Sequence, residues 1–308
     1  MSVTIYPARR VITMNPAVPT ADAVAVLGDR IIGVGTLDEL ARWGAHRIDD
    51  SFRDHVLTPG FVEAHSHVMS GGTWERVYLG FFDRRDPSGR LWPGCKNIDA
   101  VIARLREAEA RMTDPDEVLM GWGLDPIYLS GERLVGRHLD AVSESRPIYV
   151  MHASGHLATV NTALLRQDGI TADNPTPGIQ LDEHGQPNGE LQEPAAMSLA
   201  SAHRQLRNGF ASEQAKWNYA FEARNAGHTL VTDLGTSRID DEGVASWVAA
   251  TSSPTYPVRV MVAGSPFATP LPPAELAAQI VKLRDNPAND KLRFGIIKII
   301  LDLSLIHI

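Results

Sequence analysis

The sequence is nearly without cysteine. Cys95 is the single one among 308 residues, which excludes an internal disulfide and fits a reducing compartment. This thiol, set between Trp92-Pro93-Gly94 and Lys96, has no partner nearby in sequence and is read as incidental. No run approaches the roughly 18 apolar residues that a membrane-spanning helix needs. Met1-Ser2-Val3-Thr4-Ile5-Tyr6-Pro7 lacks the basic-then-apolar order of a secretory leader. Positive charge is also short: 29 Lys and Arg against 37 Asp and Glu leave −8, which recommends neither nucleic acid nor an anionic membrane as partner. A cytoplasmic protein is the expectation. The rest, 44% hydrophobic and 21% charged, suits one large α/β domain or two smaller ones.

The most informative stretch is Leu57-Thr58-Pro59-Gly60-Phe61-Val62-Glu63-Ala64-His65-Ser66-His67. A short apolar run after Pro59-Gly60 ends in two histidines two positions apart. In a strand this spacing puts Phe61, Glu63, His65 and His67 on one face. Two neutral imidazoles so placed can share one metal ion, although a bare His-x-His equally describes two ordinary loop histidines. A second clue is Lys298, inside the otherwise apolar Phe294-Gly295-Ile296-Ile297-Lys298-Ile299-Ile300-Leu301. Unless it sits at an exposed edge, an ammonium there must be paired, neutral or modified. A desolvated lysine amine is nucleophilic and can add carbon dioxide, giving a carbamate able to bridge two cations. Asp302 is expected at the strand end, on the same face.

Around these residues the rhythm changes along the chain. Ala23 to Leu27 and Arg30 to Gly35, across Gly28-Asp29, read as a hairpin, with Thr36 capping a short helix after it. A helix is expected over 97–112, buried strands over 117–123 and 146–151, and loops around small hairpins over 166–194. After 210 strand and helix alternate: a helix capped by Ser212 and stopped by Gly227, then strands over 229–233, 258–262 and 293–301, with helices near 242–250 and from Pro273 to Arg284. Counting the histidine strand, four parallel strands of an α/β sheet are expected, where a closed barrel needs eight.

Taken in order, the motifs resemble those of the amidohydrolase superfamily, and within it amidohydrolase family 3, the branch with N-substituted formamide deformylase-like enzymes. The resemblance rests on Thr58 to His67 as the strand-one metal motif and on Gly121-Trp122-Gly123-Leu124-Asp125-Pro126. It continues through Leu139-Asp140 ahead of Arg146-Pro147, Gly155-His156 with Val160-Asn161, and Pro187-Asn188-Gly189 with Leu191-Gln192-Glu193. Gly227-His228-Thr229 and the Lys298 segment complete the series. It implies a partial (β/α)8 TIM barrel, of which about four strands lie here, with a small N-terminal β-sandwich subdomain and a large insertion after strand one. Residues 1–56 would supply part of the sandwich and 57–308 the incomplete barrel, with the insertion over about 69–225. His65 and His67 would bind the more buried metal, and Lys298, carboxylated, would bridge two. One or two zinc ions are implied, the metal polarising an amide carbonyl and activating water; manganese and iron also suit such donors. Trp122, Asp125, His156 and Glu193 would line the substrate pocket, Glu193 alternatively serving as a metal ligand. His152 either faces that pocket or is a satisfied core histidine.

The end of the chain departs from the family pattern. Two further ligand histidines and a proton-handling aspartate are expected past strand four, yet the chain stops at Ile308. Leu303 stands where a glycine is expected, and Ser304 to Ile308 match nothing, so His307 is not read as a ligand. The expectation is therefore a metal-dependent hydrolase of a non-peptide C–N bond, present as a C-terminally truncated, aggregation-prone and inactive fragment. Its partner would be a small amide-type molecule, with no nucleic acid and no membrane, and with room for a homo-oligomer. A superfamily deaminase and a non-catalytic metal- or small-molecule-binding protein are the alternatives.

Overall fold

Small and β-branched residues alternate along the first strands and set a sheet of their own. The computed structural model describes residues 2–299, and the chain divides into two compact units, Met1–Phe61 and Val62–Ile308. The first holds β1 (Val3–Ile12), β2 (Thr20–Leu27), β3 (Arg30–Gly35), α1 (Leu37–Ala41), β4 (His46–Ile48) and β5 (Val56–Leu57). Its sheet runs β3-β2-β1-β4, with β5 also on β1; the β1–β2 and β2–β3 pairs are antiparallel, and β4 and β5 lie parallel to β1. The β2–β3 hairpin closes at Leu27 and Arg30 over Gly28, whose φ of 63° suits a residue without a side chain. Thr36 accepts from the Glu39 backbone N–H while the Glu39 carboxylate accepts from that of Thr36, a closed capping box. Ile5, Ala23, Ala25 and Leu40 form the small core.

The second unit opens with β6 (Phe61–Ser66), and a 3-10 segment, Val68–Glu75, follows His67 at once. Next come β7 (Val77–Tyr78), the short ribbon β8 (Arg84–Arg85) and β9 (Leu91–Trp92), and α2 (Ile98–Glu109), capped by Asn97. The unit continues with β10 (Leu119–Leu124), α3 (Gly136–Asp140), β11 (Ile148–His152), β12 (Leu157–Val160) and α4 (Thr162–Gln167). It goes on through β13 (Ile179–Leu181), β14 (Pro187–Gln192), α5 (Glu193–Met197), α6 (Ser201–Phe210) and α7 (Glu213–Asn225). The two strands expected over 117–123 and 146–151 are present as β10 and β11, and with β7, β12, β13 and β14 they form a six-stranded mixed sheet ordered β13-β14-β12-β11-β10-β7. Pro187-Asn188-Gly189, a turn signal by composition, lies in strand β14, because pairing with β12 and burial of Leu191 outweigh local preference. Helix α6 was not anticipated; its buried Ala202 and Leu206 are spaced four apart.

The last stretch alternates as expected: β15 (His228–Leu234), α8 (Asp241–Ser252), β16 (Arg259–Gly264), α9 (Pro273–Asp285) and β17 (Leu292–Ile297). This sheet is ordered β17-β16-β15-β6, and β15, β16 and β17 are parallel. Its core joins Val231, Val260, Val262, Leu292 and Phe294 to Trp247 of α8 and to Leu276 and Ile280 of α9. The molecule is thus α/β with mixed sheets. Among the described residues no helix is long and apolar enough to cross a membrane.

The 3-10 segment lies hard against α7. A Cβ on Gly71 would fall 2.0 Å from the Ala215 carbonyl oxygen and 2.6 Å from the Tyr219 nitrogen, so backbone meets backbone there. The Gly71 carbonyl also accepts from Asn218 Nδ2 at 3.1 Å. Neither partner is a flexible side-chain end that could yield. Gly71→Ala is therefore expected to cost about 3 kcal/mol, read as a lower urea midpoint with the m-value unchanged.

Candidate functional site

The two histidines are presented by the end of β6. Ser66 between them is buried, and its Oγ donates to the Thr232 carbonyl at 2.8 Å, which turns His65 and His67 the other way. Both are exposed, with ring centroids 5.6 Å apart and planes at 85°. Glu63 stands beside them: its Oε1 accepts from the His65 backbone N–H at 3.0 Å, and its Oε2 lies 3.9 Å from His228 Nε2.

One residue past His67, the Val68 backbone N–H donates to Asp233 Oδ1 at 2.8 Å. Asp233 is fully buried near the end of β15 and also accepts from Thr236 Oγ1 at 2.6 Å and the Ser237 backbone N–H at 3.0 Å. Partial burial holds the His67 imidazole below its usual range. The negative Asp233 opposes that shift; His65 and Lys298 reinforce it. The shift favours the neutral form of His67, which can donate a lone pair.

Lys298 is not the interior strand residue that its apolar neighbours suggest. The β16–β17 ladder ends at Gly264 and Ile297, because β16 stops there, so Lys298 follows the strand. Its backbone N–H donates to the Gly264 carbonyl at 2.8 Å, it is partly buried, and Ile297 and Ile299 beside it are exposed. A Cβ on Gly235 would lie 3.0 Å from Lys298 Cβ, which puts the lysine stem beside the loop after β15. Asp302 and His307 lie outside the described residues. Among the described residues no group of three or more His, Cys, Asp or Glu side chains is placed to hold a metal ion. The donors at hand are the two imidazoles, with the lysine in electrostatic reach of His67.

The four positions expected to contact substrate separate into two pairs. Trp122 and Asp125 line one cavity of about 380 Å³ together with Phe81, Phe82, Tyr128 and His152. His156 and Glu193 bond each other instead, Nδ1 to Oε2 at 2.9 Å, and are not among the residues lining it. Glu193 carries a φ of 66°, a conformation that costs an L-residue on the order of 1 kcal/mol. Sequence reasoning missed Phe81, Phe82 and Tyr128, for which the adjacent aromatic pair was the available signal. His152 was left between pocket and core; it is buried, bonded through Nε2 to Thr159 Oγ1 at 2.9 Å, and it lines the cavity.

The profile of the amidohydrolase family matches residues 53–307. The chain belongs to that family. Among family relatives, the N-substituted formamide deformylase of Arthrobacter pascens is 32% identical over 189 residues, 59% of this chain and 32% of that protein. Protein LONG AFTER FAR-RED 3 of Arabidopsis thaliana is 24% identical over 230 residues, 73% of this chain and 37% of its own length. An uncharacterized metal-dependent hydrolase of Pyrococcus horikoshii OT3 shares the fold, with a TM-score of 0.57 at 16% identity, covering 94% of this chain and 53% of that one. The chain thus spans about a third of these two relatives and about half of the solved structure.

His152 makes stability depend on pH. Burial pushes its pKa from the usual 6.5 down to about 4. Between those values the unfolded chain binds a proton that the native chain refuses, so stability is complete above pH 6.5 and falls as the pH drops toward 4. The loss should reach roughly 3 kcal/mol. Urea midpoints measured from pH 7 to 4 should show it, and His152→Leu should flatten that part of the profile.

Proposed function

We propose that the chain is the metal-binding portion of a hydrolase that cleaves a non-peptide C–N bond of amide or formamide type. The observation that carries this reading is the placement of the His65 and His67 rings together at the end of β6, with centroids 5.6 Å apart. A divalent metal, most simply one or two zinc ions, would be held by a nitrogen from each ring. When bound it supplies Lewis acidity to a carbonyl and makes water a nucleophile near neutral pH. Asp233 keeps the backbone after His67 in place through Val68. Lys298 Nζ, as free amine, would add to carbon dioxide: the N–C bond would form, the π pair would move to oxygen and a proton would leave to water, giving a carboxylate that could help hold the metal.

The architecture proposed is a partial (β/α)8 barrel built on β6, β15, β16 and β17, with residues 1–56 as part of a β-sandwich and the insertion over about 69–225. The parallel pairing of β15 to β17 and their alternation with α8 and α9 support it. The substrate would be a small amide-type molecule in the cytoplasm, with neither nucleic acid nor membrane as partner. The Arthrobacter relative, named for deformylating N-substituted formamides, points the same way. We also propose that the 308-residue chain does not turn over substrate alone, since its described donors are two imidazoles and one lysine. That same shortage favours a second reading, a metal- or small-molecule-binding protein without catalysis.

Zinc titration of the chain by calorimetry tests the first reading: His65→Ala and His67→Ala should each weaken binding at least tenfold, on the order of 1.4 kcal/mol. Zinc affinity untouched by either substitution overturns it. A screen of N-formyl and N-acyl amines should show no turnover by the chain alone, and hydrolysis by a monomer carrying zinc would refute the inactivity.

A further inference from the structure

A cavity of about 270 Å³ lies between the first turns of α7 and α8, apart from the aromatic one. Lys216 of α7 reaches across it. Its Nζ donates to Ser246 Oγ on α8 and stands 5.1 Å from the centroid of the Trp247 ring. Ser246 and Trp247 line the cavity as Lys216 does, so the ammonium is held at the cavity wall. An ammonium carries three N–H donors, and Ser246 takes one of them. Among the described residues no carboxylate forms an ion pair with it; Glu213 and Asp233 attract it only from further off. Partial burial accordingly holds the lysine below its usual pKa range, against the pull of those two carboxylates. A partly buried cation without a counter-ion is a cost that the fold itself leaves standing.

The other charges in the lining already answer each other. Arg238 Nη1 lies 3.2 Å from Glu242 Oε2, and Arg238 Nε donates to Asp240 Oδ2 at 2.8 Å. One positive charge therefore remains, beside the apolar surfaces of Met69, Phe210 and Trp247. That pairing of features suits a monoanion with an apolar body. A phosphate dianion would meet one free cation where it needs several donors, and a neutral molecule would leave the ammonium unanswered. The volume falls below that of pockets for drug-sized molecules, which limits the ligand to a short chain or a single ring.

We propose that this cavity binds a small monocarboxylate, its carboxylate accepting from Lys216 Nζ and its apolar part lying against Met69, Phe210 and Trp247. The bond to Ser246 fixes the ammonium in the position from which it receives the ligand. Neither the imidazole pair at His65 and His67 nor Lys298 takes part, and no metal is needed. The proposal goes beyond the hydrolase reading, and the two fail separately.

Calorimetry on the full chain, stripped of metal with EDTA and dialysed free of the chelator, tests it with butyrate, acetate, butyramide, butylammonium and inorganic phosphate as probes. Butyrate should bind saturably. Acetate, two methylenes shorter, and butyramide, without the charge, should each bind about tenfold more weakly. Butylammonium and phosphate should also bind more weakly than butyrate. Lys216→Met, which keeps the stem but not the charge, should abolish the preference for butyrate over butyramide, whereas Lys298→Met should leave it intact. Met69→Ala, at an exposed part of the wall, should narrow the gap between butyrate and acetate. Should Lys216→Met fail to fold, the probe series on the unaltered chain, Lys298→Met and Met69→Ala still decide. Equal affinity for butyrate and butyramide, tighter binding of phosphate, a preference that survives Lys216→Met or is lost with Lys298→Met, or no saturable binding of any probe overturns the proposal.

Discussion

The buried carboxylate of Asp233 is the constraint on which the histidine end of β6 depends. A charge removed from water is tolerable only where donors surround it. Here one backbone N–H comes from the residue after His67, and a hydroxyl and a second N–H come from the loop after β15. Two neighbouring strands are thereby locked end to end by one side chain. Ser66 adds a second tie between them through the Thr232 carbonyl. Neither His65 nor His67 takes part in those bonds, so their rings stay available while the backbone beneath them is fixed. That is what a ligand pair requires: its own nitrogens uncommitted, its scaffold over-determined.

The same logic explains how the segment after β6 is held. The 3-10 segment runs from His67 toward β7, and Gly71 and Gly72 press its backbone against α7 and the end of α6. Trp74 Nε1 donates to the Glu222 carboxylate of α7 at 2.9 Å, and the other oxygen of that carboxylate holds Arg84, whose guanidinium covers Trp122. A chain of contacts thus leads from the helix before β15 into the wall of the aromatic cavity. Aromatic pairs favour tilted and edge-to-face geometry, and Trp74, Tyr78 and Trp122 adopt it, with centroids 5.0 to 5.8 Å apart.

What was legible in the sequence is local chemistry. The β2–β3 hairpin and the Thr36 and Ser212 caps sit where their side chains predict, because each is decided within about four residues, whereas Asn97, expected as the first helical residue, is the cap of α2. The alternation after residue 210 was legible for the same reason, period and punctuation agreeing. The outer half of the six-stranded sheet was not: β12 has only four residues, and β14 begins with Pro-Asn-Gly and pairs with β12 across more than thirty residues, as Thr159 with Glu190. Lys298 shows the converse error. Its apolar neighbours read as a buried strand, but where a ladder ends depends on its partner, and β16 ends at Gly264. Of the pocket residues, Trp122 and Asp125 were visible as a motif. The role of His152 depends on its bond to Thr159, and no spacing in the sequence encodes that pair.

One short element serves both the histidine end of β6 and the aromatic cavity. The segment Val68–Glu75 has His67 as its cap, and it contributes Ser70 and Thr73 to the wall of the aromatic cavity. Its start is held by Asp233 and its middle by the close backbone contacts of Gly71 and Gly72 with α7 and α6, so its first half cannot shift without breaking a buried bond or a backbone contact. A ligand pressing on Ser70 and Thr73 would therefore act on the element that His67 caps. Rigid transmission of this kind needs no extended path, since three to six residues of a tightly packed 3-10 turn separate the two. The fold thus places the imidazole pair and the cavity on one short, doubly anchored support.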